Sequence, residues 1–337
     1  MGTMTSRADW TGRVIDGKFR LIQWLGGSMH SSVFLTELPE ADAPKAAIKL
    51  MLADAMGAKA HMDTWTAAHA LFHPNLLRLF DSGRCEVDNV PMLYAVTGLA
   101  EESLSLVLAE RPLTEAEARE TLDQLLEALA YLHGKGFVHG HLKPANIMAV
   151  EDRLCISTES LHLAGQSGRH LPSPGPYDAP EAATRPLAPT ADIWSLGIIL
   201  VEALSQKRPV WGPILKVSLM QEAIPNSIPE PFLRIARLCL QSNPRRRATI
   251  AEIKEILNPP EPVMAALPAG EAEPPQQGRS RWLRMAPAVA LLVALVAGGA
   301  FFFLRDYKHR PVSQEPSPAM EPSAPSVPKP SPSVARH

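Results

Sequence analysis

Cysteine is scarce: in 337 residues only Cys85, Cys155 and Cys239 occur, far apart. Three widely spaced thiols give no disulfide framework and no metal-ligand spacing, so they read as reduced, buried thiols of a cytosolic domain. An excess of either charge is also lacking. The 33 basic and 35 acidic residues leave a formal net charge of -2, which removes any global electrostatic reason to expect nucleic-acid binding. The N-terminus has no apolar signal-peptide core. The globular part carries no internal repeat.

What is present divides into regions. Hydrophobic residues make up 46% of the chain, enough for a sizeable core, and the composition stays globular to about Leu257. Pro, Glu, Ala and Gln then dominate. Such a stretch cannot bury enough surface to offset chain entropy, so residues 259–284 are expected to be a linker. Met285 to Leu304 contains no charge. At about 1.5 Å per residue its length matches the roughly 30 Å hydrocarbon core, and a transmembrane helix is expected over 285–304. Residues 305–337, dense in Pro and Ser, are expected to form a disordered tail.

Arg279, Arg281 and Arg284 precede the apolar segment, and Arg305, Lys308 and Arg310 follow it. The positive-inside count is a tie. Because no signal precedes the N-terminal domain, that domain is expected to stay cytoplasmic at a cell (inner) membrane, with the tail extracytoplasmic. Ala286, Ala290, Ala294 and Gly298 recur every four residues. Such a stripe of small side chains lets helix backbones approach, so a homodimer through the membrane helix is a further expectation.

The globular part holds a series of short motifs in a fixed order. A Gly-containing turn, Leu25-Gly26-Gly27-Ser28, leads to Ser31-Ser32-Val33-Phe34. Then come Ala46-Ala47-Ile48-Lys49, His139-Gly140-His141-Leu142-Lys143-Pro144-Ala145-Asn146, Ala179-Pro180-Glu181, Asp192-Ile193-Trp194-Ser195-Leu196-Gly197 and Asn243-Pro244-Arg245-Arg246-Arg247. Together they resemble the eukaryotic-type (Hanks-type) Ser/Thr protein kinase domain over about residues 14–258. The layout of domain, membrane helix and Pro-rich tail is similar to that of bacterial receptor-type kinases. The fold class implied is α+β: a two-lobed protein-kinase-like fold. Thr114 and Glu117 make a capping box for a helix carrying Leu122, Leu125, Leu126, Leu129 and Leu132, which Gly134 is expected to stop. Ala191 to Leu204 is apolar almost all round, as a buried helix should be.

The resemblance also implies a site. Gly26, Gly27, Ser28, Val33, Lys49 and Asn146 correspond to nucleotide-binding positions, with Lys49 at the α- and β-phosphates, Asn146 at a metal and Lys143 near the γ-phosphate. Glu181 with Arg247, and Asp192 beneath the catalytic loop, correspond to structural positions. Several chemical groups have changed. The catalytic aspartate aligns with His141, which is bulkier yet can accept a proton. The metal-binding aspartate aligns with Thr158, and only a one-residue slip would bring Glu159 to the metal. The helix glutamate that meets Lys49 aligns with Thr64, next to the shorter Asp63. Ser28 and Ser31 replace glycines, Pro174 replaces a threonine, and Gly140 replaces an arginine that would bind an activation-loop phosphate. Phosphoryl transfer rests on positioning and charge neutralisation, so the expectation is a pseudokinase in signalling or scaffolding, with an unidentified cytosolic protein partner. ATP is a possible ligand and Mg²⁺ a weak one. The alternatives are an active kinase using His141 as base and Glu159 at the metal, and a structural membrane anchor for the tail.

Overall fold

The structure, a computed structural model, describes residues 10–28, 31–40, 42–53, 57–166, 175–209 and 220–259. In chain order the elements open with β1 (Val14–Ile15), β2 (Phe19–Arg20), β3 (Gln23–Gly27), β4 (Ser31–Glu37), β5 (Lys45–Leu52), α1 (Ala58–Ala68), β6 (Leu79–Val87) and β7 (Val90–Gly98). There follow β8 (Glu102–Ser103), α2 (Leu104–Glu110), α3 (Glu115–Gly134), β9 (Phe137–Val138), β10 (Ile147–Val150), β11 (Arg153–Ile156) and β12 (His162–Leu163). The last three are α4 (Pro189–Ser205), α5 (Phe232–Cys239) and α6 (Ile250–Leu257).

Five strands make one antiparallel sheet in the order β3-β4-β5-β7-β6. Alternation decides what each face carries, because successive side chains point to opposite sides. Phe34 of β4, Ile48 and Leu50 of β5, and Tyr94 and Val96 of β7 are buried in one cluster with Trp10, Phe19 and Leu21. The opposite face carries Val33, Lys49 and Ala95, which stand in register across the three central strands. That face belongs to the cleft, so the polar head of Lys49 projects away from the apolar cluster. The β3–β4 hairpin is tight. Gly27 pairs with Ser32, and a Cβ on Gly27 would lie 2.5 Å from the Ser31 carbonyl oxygen.

The second lobe is mainly helical. The Thr114 side chain and the Glu117 backbone and carboxylate form a reciprocal capping box that starts α3. The helix ends at Gly134, as its sequence suggests. The left-handed residue that follows is Gly136, at φ +79°. The amides of Lys135 and Gly136 bond back to the last turn, at Tyr131 and His133, and close the helix end. In α4 every residue from Ala191 to Val201 is buried, and its core is shared with α3, α5 and α6.

No described helix is long and apolar enough to cross a membrane. The expected helix at 285–304, the tail at 305–337, the linker beyond Pro259, and Pro174 lie outside the described residues.

Candidate functional site

β5 delivers Lys49 to the cleft, where its ammonium meets a carboxylate from the loop after β11. Lys49 Nζ stands 3.0 Å from Glu159 Oε1. Burial raises the Glu159 carboxyl pKa, but the charge and hydrogen bond of Lys49 outweigh it and leave it below the usual carboxylate range. The second oxygen, Oε2, is buried and has no hydrogen-bond partner among the described residues. The neighbouring Thr158 is spent elsewhere: its hydroxyl donates to the Leu77 carbonyl at 2.7 Å.

The helix that should answer Lys49 does so only indirectly. In α1, Thr64 is buried and donates to the Ala60 carbonyl. Asp63 faces away and pairs with Lys59 at 2.7 Å on the exposed side. Instead Trp65, fully buried, donates its indole N–H to the Glu159 backbone carbonyl at 3.0 Å. One acidic residue therefore pairs with Lys49 through its side chain and anchors α1 through its main chain.

The segment from His139 to Asn146 is held from below. Asp192, at the start of α4, accepts the backbone N–H groups of His139 at 2.9 Å and Gly140 at 2.8 Å, and its Oδ2 lies 2.8 Å from His133 Nε2. Burial raises the Asp192 carboxyl pKa, yet these partners pull it below its ordinary value. His139 has no exposed surface, and burial pushes its imidazole down to about 4. The ion pair of Arg247 with Glu181 is bidentate, at 2.6 and 2.8 Å. The guanidinium also donates to the carbonyls of Gln241 and Thr190 and lies over the Trp194 ring.

His141 sits in the centre with both ring nitrogens occupied. Nδ1 lies 2.9 and 3.1 Å from the two carboxylate oxygens of Asp178, and Nε2 lies 3.1 Å from Lys143 Nζ. The arrangement assigns the proton to Nδ1, which donates to the carboxylate, and leaves Nε2 accepting from the lysine. Asp178 is 4% exposed and also accepts from the Gly175 backbone at 2.7 Å. Burial and the nearby Lys49 lower the Lys143 pKa, with Asp178 and Glu159 opposing. The Asn146 amide nitrogen donates to the His141 carbonyl at 3.0 Å, so only its oxygen remains for a ligand.

Lys49, Lys143, His141, Asn146 and Glu159 thus meet in one cleft; Val33 stands in register with Lys49, and Gly26 pairs with Val33 in the hairpin that carries Gly27 and Ser28. That hairpin is closed by a Ser28–Ser31 hydroxyl contact at 3.1 Å and a Ser28 N–H bond to the Ser31 carbonyl. Two lysines beside a glycine hairpin fit a phosphate-bearing nucleotide. A divalent cation fits poorly. Thr158, at the position that the resemblance gives to the metal-binding aspartate, turns its hydroxyl to Leu77, and the neighbouring carboxylate of Glu159 is already paired with Lys49.

Sequence reasoning missed Asp178. An acid directly before Ala179-Pro180-Glu181 was the available signal, but nothing in the sequence tied it to His141. It also missed Trp65 as the anchor of α1.

The protein kinase domain profile matches residues 20–258. The chain is 29% identical over 195 residues to calcium/calmodulin-dependent protein kinase type 1 of Macrobrachium nipponense, covering 55% of this chain and 56% of that protein. It is 29% identical over 241 residues to the serine/threonine-protein kinase pkn2 of Myxococcus xanthus, covering 66% and 28%. It is 30% identical over 205 residues to the mouse (Mus musculus) serine/threonine-protein kinase SIK1, covering 55% and 25%. The chain therefore spans from a quarter to little more than half of the length of these relatives.

Proposed function

The chain belongs to the protein kinase domain family, and on that premise we propose that it is a membrane-anchored pseudokinase that acts in signalling or scaffolding through a cytosolic protein partner. The observation that carries the reading is the engagement of the His141 Nε2 lone pair by Lys143. A general base must offer a free lone pair to the acceptor hydroxyl. Here Nδ1 faces Asp178 and Nε2 faces Lys143. The replacement of the metal-binding aspartate by Thr158, whose hydroxyl bonds Leu77, supports the same reading. In this proposal the apolar segment 285–304 holds the domain at the inner membrane, cytoplasmic side, and the tail lies across it.

The test is incubation of the purified protein with radiolabelled ATP and Mg²⁺ or Mn²⁺, with and without generic protein substrates. The expected result is no incorporation above a Lys49→Ala control. Robust incorporation that disappears in His141→Ala would overturn the reading. It would favour instead an active Ser/Thr kinase with His141 as base and Glu159 at the metal, for which the unpartnered Glu159 Oε2 is the supporting observation.

A further inference from the structure

We infer that the cleft takes the phosphates of a nucleotide without a divalent cation, and that the phosphate displaces Glu159 from Lys49. The inference rests on the reading of the cleft as a nucleotide site. It starts from a count of charges. Lys49 and Lys143 are the cations, and Glu159 and Asp178 are the anions. Lys49 Nζ lies 3.0 Å from Glu159 Oε1. Asp178 is satisfied by the His141 imidazole and the Gly175 amide. Before any ligand enters, the formal charges of these four groups cancel.

A hard divalent cation needs several oxygen ligands and usually anionic ones. To hold both a lysine and a metal, the cleft would need two acids at this point, and it has one. Thr64 and Thr158, at the two positions where a second acid could stand, turn their hydroxyls to the carbonyls of Ala60 and Leu77. Asp63 is on the exposed face with Lys59. If Glu159 turned to a metal, its buried carboxylate would leave Lys49 for a cation held by one other side chain, Asn146, through one oxygen.

An incoming phosphate faces a different balance. It is itself the anion, and it competes with Glu159 for Lys49. Lys143 gives one of its three N–H donors to a neutral partner, the His141 imidazole, and keeps the others for a phosphate without releasing it. Glu159 is then the group that opposes binding, by charge and by occupying the lysine. This assigns opposite signs to its removal: a metal ligand lost weakens binding, whereas a competitor lost strengthens it.

The experiment is calorimetry on the full-length protein with ATP and with adenosine, each in EDTA and in Mg²⁺. In wild type the ATP dissociation constant should agree within roughly threefold between EDTA and Mg²⁺, since no site-bound cation contributes. In EDTA, ATP should bind at least roughly fivefold tighter than adenosine, since two lysines meet its phosphates. Glu159→Gln should tighten ATP binding in EDTA by roughly three- to tenfold, and Lys49→Ala should weaken it by a similar factor. Binding of ATP only with Mg²⁺, equal binding of adenosine and ATP, weaker binding in a folded Glu159→Gln variant, or no binding at all would each overturn the inference. The comparison of wild type in EDTA and Mg²⁺ decides the question even if that variant does not fold. Label transfer to protein bears on the pseudokinase reading and leaves this comparison intact.

Discussion

Asp178→Asn removes one charge from the site and almost no volume. The carboxylate accepts from His141 Nδ1 at 2.9 and 3.1 Å and from Gly175 N at 2.7 Å, with a side chain 5% exposed. A hydrogen bond to a charged group contributes about 1.5–3 kcal/mol net, a neutral one about 0.5–1.5 kcal/mol. Asparagine keeps one acceptor oxygen but sets an NH₂ against one of the two donors. The expected loss is about 1–2 kcal/mol, or about 2–8 °C in unfolding midpoint for a domain of this size. In a His141→Ala background only the Gly175 bond is at stake, so the same substitution should lose about half as much. Thermal or urea unfolding of wild type, both single variants and the double variant forms a double-mutant cycle. A coupling energy of about 1 kcal/mol is expected between the two side chains. Additive effects, with coupling below about 0.3 kcal/mol, would refute the dyad and with it the argument that His141 is engaged on its Nδ1 side.

Three other outcomes follow from the same geometry. Glu181→Gln leaves the Arg247 guanidinium, whose side chain has no exposed surface, without an anion, and should lower stability by about 3–5 kcal/mol; Glu181→Leu with Arg247→Met should lose less than that single change, as read by urea unfolding. His139, held down to about 4 by burial, takes up its proton in the unfolded chain first. Stability should therefore be full above the unfolded-state value near 6.5 and fall as the pH drops towards 4, by up to about 3 kcal/mol; a urea midpoint that stays constant between pH 7 and 4.5 would contradict this. His162, also pushed down to about 4 by burial, acts in the same direction. Finally, the full chain should stay in the membrane fraction through an alkaline carbonate wash, and a chain lacking residues 285–304 should not.

The parts legible in the sequence were local. The capping box of α3 needs only Thr114 and Glu117, three residues apart, and its apolar stripe repeats within one helix. The run from Ala191 to Val201 reads as buried because no face of it is polar. The kinase motifs are also short runs, and their order makes them specific together. The altered site was not local. Lys49 and Glu159 are 110 residues apart, and His141 and Asp178 are 37 apart. No periodicity links such positions.

Where the sequence showed losses, the structure shows carboxylates arriving from neighbouring positions. With Thr64 in α1 unable to answer Lys49, the lysine takes Glu159, one residue past the threonine that stands at the metal position. With no carboxylate at position 141, the imidazole there takes one from Asp178. Each replacement keeps a cation or N–H donor satisfied within the folded domain, which an uncompensated loss would not. But each also commits the new carboxylate to a protein partner. A carboxylate already engaged by a lysine or an imidazole is a poor ligand for Mg²⁺. On the proposed reading, the same substitutions that keep the cleft internally paired remove the free negative charge that metal-assisted phosphoryl transfer uses, which makes an intact fold compatible with a non-catalytic role.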